Sequence, residues 1–325
     1  MPRRMTRRAV LAGTIASVGI IGSARAAWPD RPITLIVPYP AGGGTDMVAR
    51  TIAPLLEREL RASVNVVNRG GGGGIIGHDA IARAQPDGYT IGMITNDLSF
   101  YTHLGQSRLT HRDFVKIGQT NEIVGSVTVK HDAPYRRVND LIEAIRANPG
   151  RLRGTGAAPG VNWHVGFLGM MDSLGVDPRS VIWVPAQGGT LGHQDVAAGG
   201  SDFSTSSLAE ARALLEAQRV RTLCVMADAR AEQFPDIPTL KEETGSDWTF
   251  SVVHGMAGPR GLPEAILGRL VETLAKVHAT EEVQGVLRQR TIRALHRPPA
   301  AWEEVLEAQL NSYGRLLKEA GLARG

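Results

Sequence analysis

The chain has one cysteine in 325 residues. A lone thiol excludes an intrachain disulfide framework and any cysteine-rich zinc or iron–sulfur centre. No internal apolar run reaches the roughly 18 residues of a membrane-spanning helix, so none is predicted in the mature chain. The patterns G-x-x-x-x-G-K-[ST], H-E-x-x-H and G-x-S-x-G are absent, which removes the P-loop, zincin and nucleophile-elbow readings. The nine histidines include no pair at clear metal-ligand spacing, so no metal is expected. The 38 glycines cluster instead of repeating, which excludes collagen-like and low-complexity classes.

An excess of one charge is also missing once the amino terminus is set apart. Residues 1–26 have the pattern of an export signal. Arg3, Arg4, Arg7 and Arg8 form a basic start, Ala9 to Ile21 is an apolar small-residue stretch, and Ala24-Arg25-Ala26 is an A-x-A cleavage site. Thr6-Arg7-Arg8-Ala9-Val10-Leu11 has the form of a twin-arginine signal, which implies export to the periplasm. The segment carries five of the 36 basic residues and none of the 32 acids, so its removal leaves 31 against 32, a net charge of −1. Such a balance gives no footing for a nucleic-acid surface. The remaining 299 residues are enough for two domains.

Ile33-Thr34-Leu35-Ile36-Val37 is a β-branched run bounded by prolines and predicts a buried strand. A turn-rich loop, Pro38 to Gly44, leads into a helix with Thr45 as its predicted N-cap and Asp46 in its first turn. Met47, Val48, Ile52, Leu55, Leu56 and Leu60 keep one apolar face, and Pro54 should kink it. Strands at 64–67 and 89–94 and a helix at 75–84 complete a β-α-β-α-β layer with a parallel sheet. A second unit begins near Val127. It is predicted to hold helices at 138–147 and 163–174 and one from Leu191, with strands at 181–184, 202–204 and 220–226. Residues 249–256 read as extended, and the tail from Pro263 as mostly helical. Glycine-bearing loops at 38–44, 154–156 and 186–190 each follow a strand and precede a helix. That is the ligand edge of an open α/β sheet, where unpaired helix N–H groups suit an anion.

Several stretches compete for a functional reading. Gly72-Gly73-Gly74-Ile75-Ile76-Gly77 matches G-x-G-x-x-G, and Asp97 lies 20 residues beyond, as in a dinucleotide fingerprint. It follows the second strand of its unit, however, where the fingerprint belongs to the first. Ser204, Ser206 and Ser207 offer hydroxyls for an esterase, yet no Ser–His–acid order is readable. Cys224, between Leu223 and Val225, reads as a buried inert thiol. His103 and His111 fall in a loop-like stretch and are expected at the surface. Tyr39-Pro40-Ala41-Gly42-Gly43-Gly44-Thr45-Asp46 is either a loop that wraps a small carboxylate with backbone N–H groups and the Thr45 hydroxyl, or a tight turn with an ordinary N-cap.

A family resemblance bears on that choice. Trp28-Pro29-Asp30-Arg31-Pro32-Ile33 followed by Val37-Pro38-Tyr39-Pro40-Ala41-Gly42-Gly43-Gly44-Thr45-Asp46 resembles the start of a Bug-type extracytoplasmic solute receptor of tripartite tricarboxylate transporters. The similarity continues through Asn68-Arg69-Gly70-Gly71-Gly72-Gly73, Pro86-Asp87-Gly88-Tyr89-Thr90, Asn148-Pro149-Gly150, Val184-Pro185-Ala186-Gln187-Gly188-Gly189 and Pro235-Asp236-Ile237-Pro238-Thr239-Leu240. The resemblance implies an α/β, two-domain periplasmic binding protein of type II, a Venus flytrap with its ligand cleft between domains. Domain 1 would comprise 27–127 plus 248–325 and domain 2 residues 128–247, with hinge strands crossing near 125–130 and 246–256.

It further implies that Tyr39, Ala41, Gly42, Gly43, Thr45 and Asp46 hold a carboxylate from the first domain, and that Gln187, Gly188, Gly189 and Thr190 close from the second. By position Thr95 and Asn96 end the third strand beside them, Gly156 and Ala157 lie in the 154–160 loop, and His164 matches a histidine found after that loop. This chain departs from the family at His254, where a tyrosine or tryptophan is usual, and at Ala186, where an aromatic is usual. Its 154–160 loop is less serine-rich than is common and is followed by bulky Trp163. The implied protein is no enzyme and needs no cofactor. It is a monomer that binds a small carboxylate, delivers it to membrane transporter subunits, and contacts no nucleic acid. A ligand sensor that signals to a partner is the alternative on the same fold.

Overall fold

The computed structural model describes residues 28–324. The export signal expected at 1–26 lies outside the described residues. In chain order the elements are β1 (Ile33–Val37), α1 (Gly44–Leu60), β2 (Val64–Asn68), α2 (Ile75–Ala82), β3 (Thr90–Thr95), β4 (Phe114–Lys130), α3 (Val138–Ala147), β5 (Arg153–Thr155), α4 (Asn162–Ser173), β6 (Ile182–Val184), α5 (Gly189–Ala198), β7 (Phe203–Ser207), α6 (Leu208–Glu216), β8 (Val220–Val225), α7 (Leu240–Thr244), β9 (Ser251–Pro259), α8 (Glu264–His278), α9 (Glu281–Gln289), β10 (Arg293–Arg297) and α10 (Pro299–Glu319).

The strands form two ladders that share β4. In the first lobe β1 pairs in parallel with β2 and β3, and β9 joins β3 to β4 by antiparallel pairing. In the second lobe β5 is parallel to β6 and β7, while β4 pairs antiparallel with β7 and β8. The changeover falls between adjacent residues: Val124 faces Ser251 of β9, and Gly125 faces Ser207 of β7. Gly125 also donates to Phe250 O at 2.8 Å and accepts from Met226 N at 2.7 Å. A side chain at Gly125 would meet Phe250 O at 3.2 Å, so strands from both lobes approach closely there.

Hydrophobic packing follows the helical faces read from the sequence. Val48, Ile52, Leu55, Leu56 and Leu60 of α1 are buried against Ile33, Leu35, Val37 and the α8–α9 residues Leu270, Leu274 and Leu287. Pro54 sits inside α1. On the opposite face Trp302 and Leu306 of α10 cover Ile36, Ile94 and Val253. The end of α10 leaves that lobe: Tyr313, Leu316 and Leu317 pack with Phe167, Met170 and Met171 of the second lobe. A strap thus runs along both lobes.

Several expectations need correction. Strand β4 contains the hinge strand expected near 125–130 but begins at Phe114, and its earlier part has no strand pattern because its middle is polar. Gln119, Thr120, Asn121 and Glu122 are all buried, and partners from β9, β10 and neighbouring loops satisfy them. Strand β10 interrupts the helical tail, pairing with β4 across a register shift. Helix α1 is capped by Gly43, not Thr45, and α5 starts at Gly189, two residues before Leu191. His111 is fully buried, covered by Glu303 and Glu307 of α10 at 3.2 Å each. Cys224 is buried as expected, and its desolvation pushes the thiol well above its ordinary range.

The glycine fingerprint is explained by packing. A β-carbon on Gly77 would lie 2.4 Å from Pro38 Cα and 2.6 Å from Arg69 O, both rigid backbone. Gly77 therefore lets α2 lie directly on the β1 and β2 ends. Gly71 to Gly74 all have positive φ, and a β-carbon on Gly74 would lie 3.0 Å from the Tyr39 hydroxyl. Overpacking of this kind costs about 1–3 kcal/mol. Gly77→Ala should accordingly lower the melting temperature by several degrees. An unchanged melting temperature would contradict the close approach.

Candidate functional site

The pairing directions fix where the ligand edges lie. Strand β4 runs parallel to β1 and β3, since β9 is antiparallel to both β3 and β4. It leaves the first lobe at Val124, the same edge at which β1 and β3 end. It enters the second lobe beside Ser207, the edge at which β5, β6 and β7 end. The carboxyl ends of both parallel sets therefore face each other across the Val124–Gly125 step. That edge is where open α/β sheets bind ligands.

Helices α1, α4 and α5 start at these facing edges, and none has a side-chain cap. Helix α6, which starts at the same edge, is capped by Ser207, and α7 and α9 by Thr239 and Thr280, whereas α2, α8 and α10 lack a side-chain cap as α1, α4 and α5 do. The first intrahelical bond of α1 runs from Met47 N to Gly43 O at 3.0 Å, leaving the N–H groups of Gly44, Thr45 and Asp46 without an intrahelical partner. In α5 it runs from Gly192 N to Gly188 O at 3.2 Å, leaving Gly189, Thr190 and Leu191 in the same position. Gly188 has φ 107°, a conformation that needs glycine.

Asp46 braces the first of these loops. It is 3% exposed and accepts from Gly42 N at 2.8 Å, Asn68 Nδ2 at 2.8 Å and Arg50 Nε at 3.0 Å. Asn68 Nδ2 also donates to Tyr39 O. Both ends of the loop are thereby tied to one carboxylate, while Ala41, Gly42 and Gly43 stay exposed. Burial alone would raise the Asp46 pKa, but the donors from Arg50, Gly42 and Asn68 hold it below its ordinary value.

Other predicted side chains are committed within the lobes. The Tyr39 hydroxyl donates to Asp97 Oδ2 at 2.7 Å and lies 2.8 Å from Thr95 Oγ1. Asn96 donates to Ser251 O at 3.0 Å and accepts from Val253 N at 3.2 Å, locking β3 to β9. Thr45 is buried with its hydroxyl 3.2 Å from His254 Nε2. His254 Nδ1 in turn lies 3.0 Å from Asn121 Nδ2. Family position and composition could not reveal that His254 stands directly behind the carboxylate loop; it is a buried partner of Thr45.

In the second lobe Gly156 has φ 145°, and a β-carbon there would lie 2.0 Å from Thr205 O. The Ala157 carbonyl accepts from Trp183 Nε1 at 3.0 Å. Gly160 N donates to His164 Nδ1 at 2.9 Å, so the neutral ring carries its proton on Nε2. Gln187 and Thr190 are exposed and Gly189 is buried. Ser204 Oγ lies 2.7 Å from His193 Nδ1, the Ser–His pair that an esterase would need. Both residues are fully buried, and His193 Nε2 faces the Ser207 carbonyl instead of an acid. The pair has no access to a substrate. A partly open cavity of about 430 Å³ is lined by Val124, Val225, Arg230, Arg288 and Arg293 and by none of the predicted site residues.

The buried histidines couple the fold to pH. Burial pushes His78 down to about 3, and His164 and His254 down to about 4. An unfolded chain takes up these protons below about pH 6.5, so their contribution to stability is lost as pH falls from about 6.5 toward 4. Asp97 acts in the opposite sense, since burial raises it to about 6 and the folded state then binds its proton first. Burial also lowers His111, His193 and His278, so one group opposes six. The melting temperature should therefore fall by several degrees between pH 7 and pH 5, with a shallower slope in His254→Asn. A flat or rising profile would contradict the burial of these rings.

Comparison with known proteins agrees with this geometry. Residues 48–322 match the family model described as tripartite tricarboxylate transporter family receptor. A UPF0065 protein from the tcbD–tcbE intergenic region of Pseudomonas sp. strain P51 is 32% identical over 324 residues, covering 96% of this chain and 94% of that one. The periplasmic binding protein BugD superposes with a TM-score of 0.77 at 27% identity, over 92% of this chain and 100% of its own. Rpa4515 of R. palustris, solved with adipate, superposes with a TM-score of 0.78 at 27% identity, over 91% and 99%. The family is one of receptors, and BugD and Rpa4515 share the α/β fold of this chain. The chain belongs to the tripartite tricarboxylate transporter receptor family.

Proposed function

We propose that this protein is a periplasmic receptor that captures a small carboxylate by closure of its two lobes and delivers it to a tripartite tricarboxylate-type transporter. The observation that carries the reading is the set of uncapped helix starts α1, α4 and α5 facing one another across the β4 step. A carboxylate placed there receives charge-assisted bonds from several backbone N–H groups without displacing any side-chain cap. The binding loops are 39–46 and 187–190, with Gly156, Ala157 and His164 as a third wall. Thr95 and Asn96 act from behind, holding the Tyr39 ring and the β9 backbone.

Domain 1 in this reading is 27–127 plus 248–325 and domain 2 is 128–247, with β4 and the chain before β9 as the hinge. The strap formed by the end of α10 must then slide or bend on closure. A helix end supplies at most about 2 kcal/mol, whereas micromolar affinity needs about 8 kcal/mol. Burial of the rest of the ligand between the lobes supplies the difference. The adipate held by Rpa4515 supports a carboxylate as cargo.

A thermal-shift screen of residues 27–325 against small carboxylates tests this. A ligand at 100 times its Kd stabilises the folded state by about 2.7 kcal/mol. At least one carboxylate should raise the melting temperature, and Asp46→Ala should weaken its binding about tenfold or more by releasing the loop. Stabilisation by a nucleotide alone, or an Asp46→Ala variant with unchanged affinity for every hit, would contradict the reading.

A further inference from the structure

We propose that Asp97 is a proton site coupled to the 39–46 loop: the protein takes up a proton there when an anion settles on the loop, so capture tightens as pH falls. The inference deepens the receptor reading above and rests on it.

Strand register puts Asp97 beside the loop. Strands β1 and β3 run parallel with Ile36 opposite Gly92, and the same offset carried on places Tyr39 level with Thr95. Adjacent strands lie about 4.8 Å apart. Asp97 follows Thr95 by two positions and therefore borders the loop whose helix start is assigned to the carboxylate. The Tyr39 hydroxyl joins the two, donating to Asp97 Oδ2 at 2.7 Å and lying 2.8 Å from Thr95 Oγ1. The Tyr39 carbonyl is tied to Asn68, which also holds Asp46.

The Asp97 carboxylate has no counter-charge. Tyr39 supplies its one side-chain hydrogen bond among the described residues, and Oδ1 is buried without a partner. The titratable groups around it come from several elements. Tyr39 of the loop, Tyr101 beyond β3 and Tyr313 of α10 are held above their ordinary range by burial. His78 of α2 and His254 of β9 are held down, to about 3 and about 4. The turn at 111–113, the start of β4 and α10 bring His111, Arg112, Lys116, Glu303 and Glu307, which pair among themselves. Glu122 of β4 is paired with Arg293. Burial raises Asp97 to about 6, so beside the loop it is the acid that changes charge between pH 5 and pH 8.

An ionised Asp97 and a bound carboxylate are two like charges at one edge, which favours the protonated acid. The loops at 38–44 and 95–99 contain no lysine or arginine to offset them. A proton taken from solvent removes the repulsion, and the hydrogen-bond chain accommodates it by reversing. Ionised Asp97 accepts from Tyr39, which accepts from Thr95. Protonated Asp97 donates to Tyr39, which donates to Thr95. No bond is lost in either state. Asp46 shows how an acid with a purely structural role is held here, with Arg50, Gly42 and Asn68 all donating to it.

The test is isothermal titration of the mature chain with adipate, succinate and benzoate. At pH 6.5 the binding heat of at least one of them should differ between Pipes and imidazole buffers, corresponding to uptake of about half a proton. Its affinity should rise about threefold or more from pH 8 to pH 6. Asp97→Asn copies the protonated side chain. It should bind at pH 8 about threefold tighter than the wild-type protein, and its affinity should be level from pH 8 to pH 6. Tyr39→Phe removes the one donor to Asp97 and should move the midpoint of the pH profile up by about one unit. It decides the matter if Asp97→Asn does not fold, an unmoved midpoint overturning the proposal. Wild-type affinity that is level with pH, with no buffer dependence, overturns the proposal and leaves the receptor reading intact. A pH dependence unchanged in Asp97→Asn also overturns it, because another group then carries the proton. Failure of every carboxylate to bind at any pH defeats both.

Discussion

The passage of one strand through two ladders governs the rest of this structure. Strand β4 changes partners between Val124 and Gly125. Because β4 is parallel to β1 and β3 but antiparallel to β7, that single step turns the carboxyl edges of two separate parallel sets toward each other. Everything that can bind a ligand follows from it, since loops and helix starts gather at those edges. The step also explains the unusual polarity of the strand. Gln119 to Glu122 are buried at the junction, and each is satisfied by side chains or backbone from β9, β10 and adjacent loops. A polar junction held by directional bonds keeps one register, whereas an apolar one would tolerate slippage.

The cleft is built by removing side chains as much as by placing them. Gly42, Gly43, Gly188 and Gly189 leave helix N–H groups uncovered, and no serine, threonine or aspartate caps these helices. Ser207 and Thr239 do cap α6 and α7, so side-chain capping is available to helices of the second lobe. An uncapped helix start gives up about 1 kcal/mol of local stability. The loop is held instead by Asp46, whose carboxylate gathers Gly42, Asn68 and Arg50. Stability is thus supplied from behind the loop, and its front remains available to an anion.

Much of this was legible in the sequence. The apolar periodicity of α1, the β-branched run of β1 and the glycine-bearing loops located the first lobe to within a residue or two. The family motifs supplied the two-lobed plan that periodicity alone did not. What stayed hidden had physical causes. Strand β4 carries buried polar residues whose partners lie more than a hundred positions away, so no local pattern marks it. His111 and His254 look like surface or cleft histidines, because only tertiary packing shows that α10 covers one and that Thr45 and Asn121 hold the other. The G-x-G-x-x-G match misleads for a related reason. Close approach of α2 to Pro38 demands the same glycine that a bound pyrophosphate would.

The central claim is that paired, uncapped helix starts from both lobes grip one ligand. Backbone amide chemical shifts of the isotopically labelled mature protein, followed during titration with adipate or with any carboxylate that stabilises it, test this most directly. The account predicts that the amides of Gly44 to Asp46 and those of Gly189 to Leu191 shift together, with a single dissociation constant. Shifts confined to one lobe, or centred on Gly71 to Gly77, would contradict it.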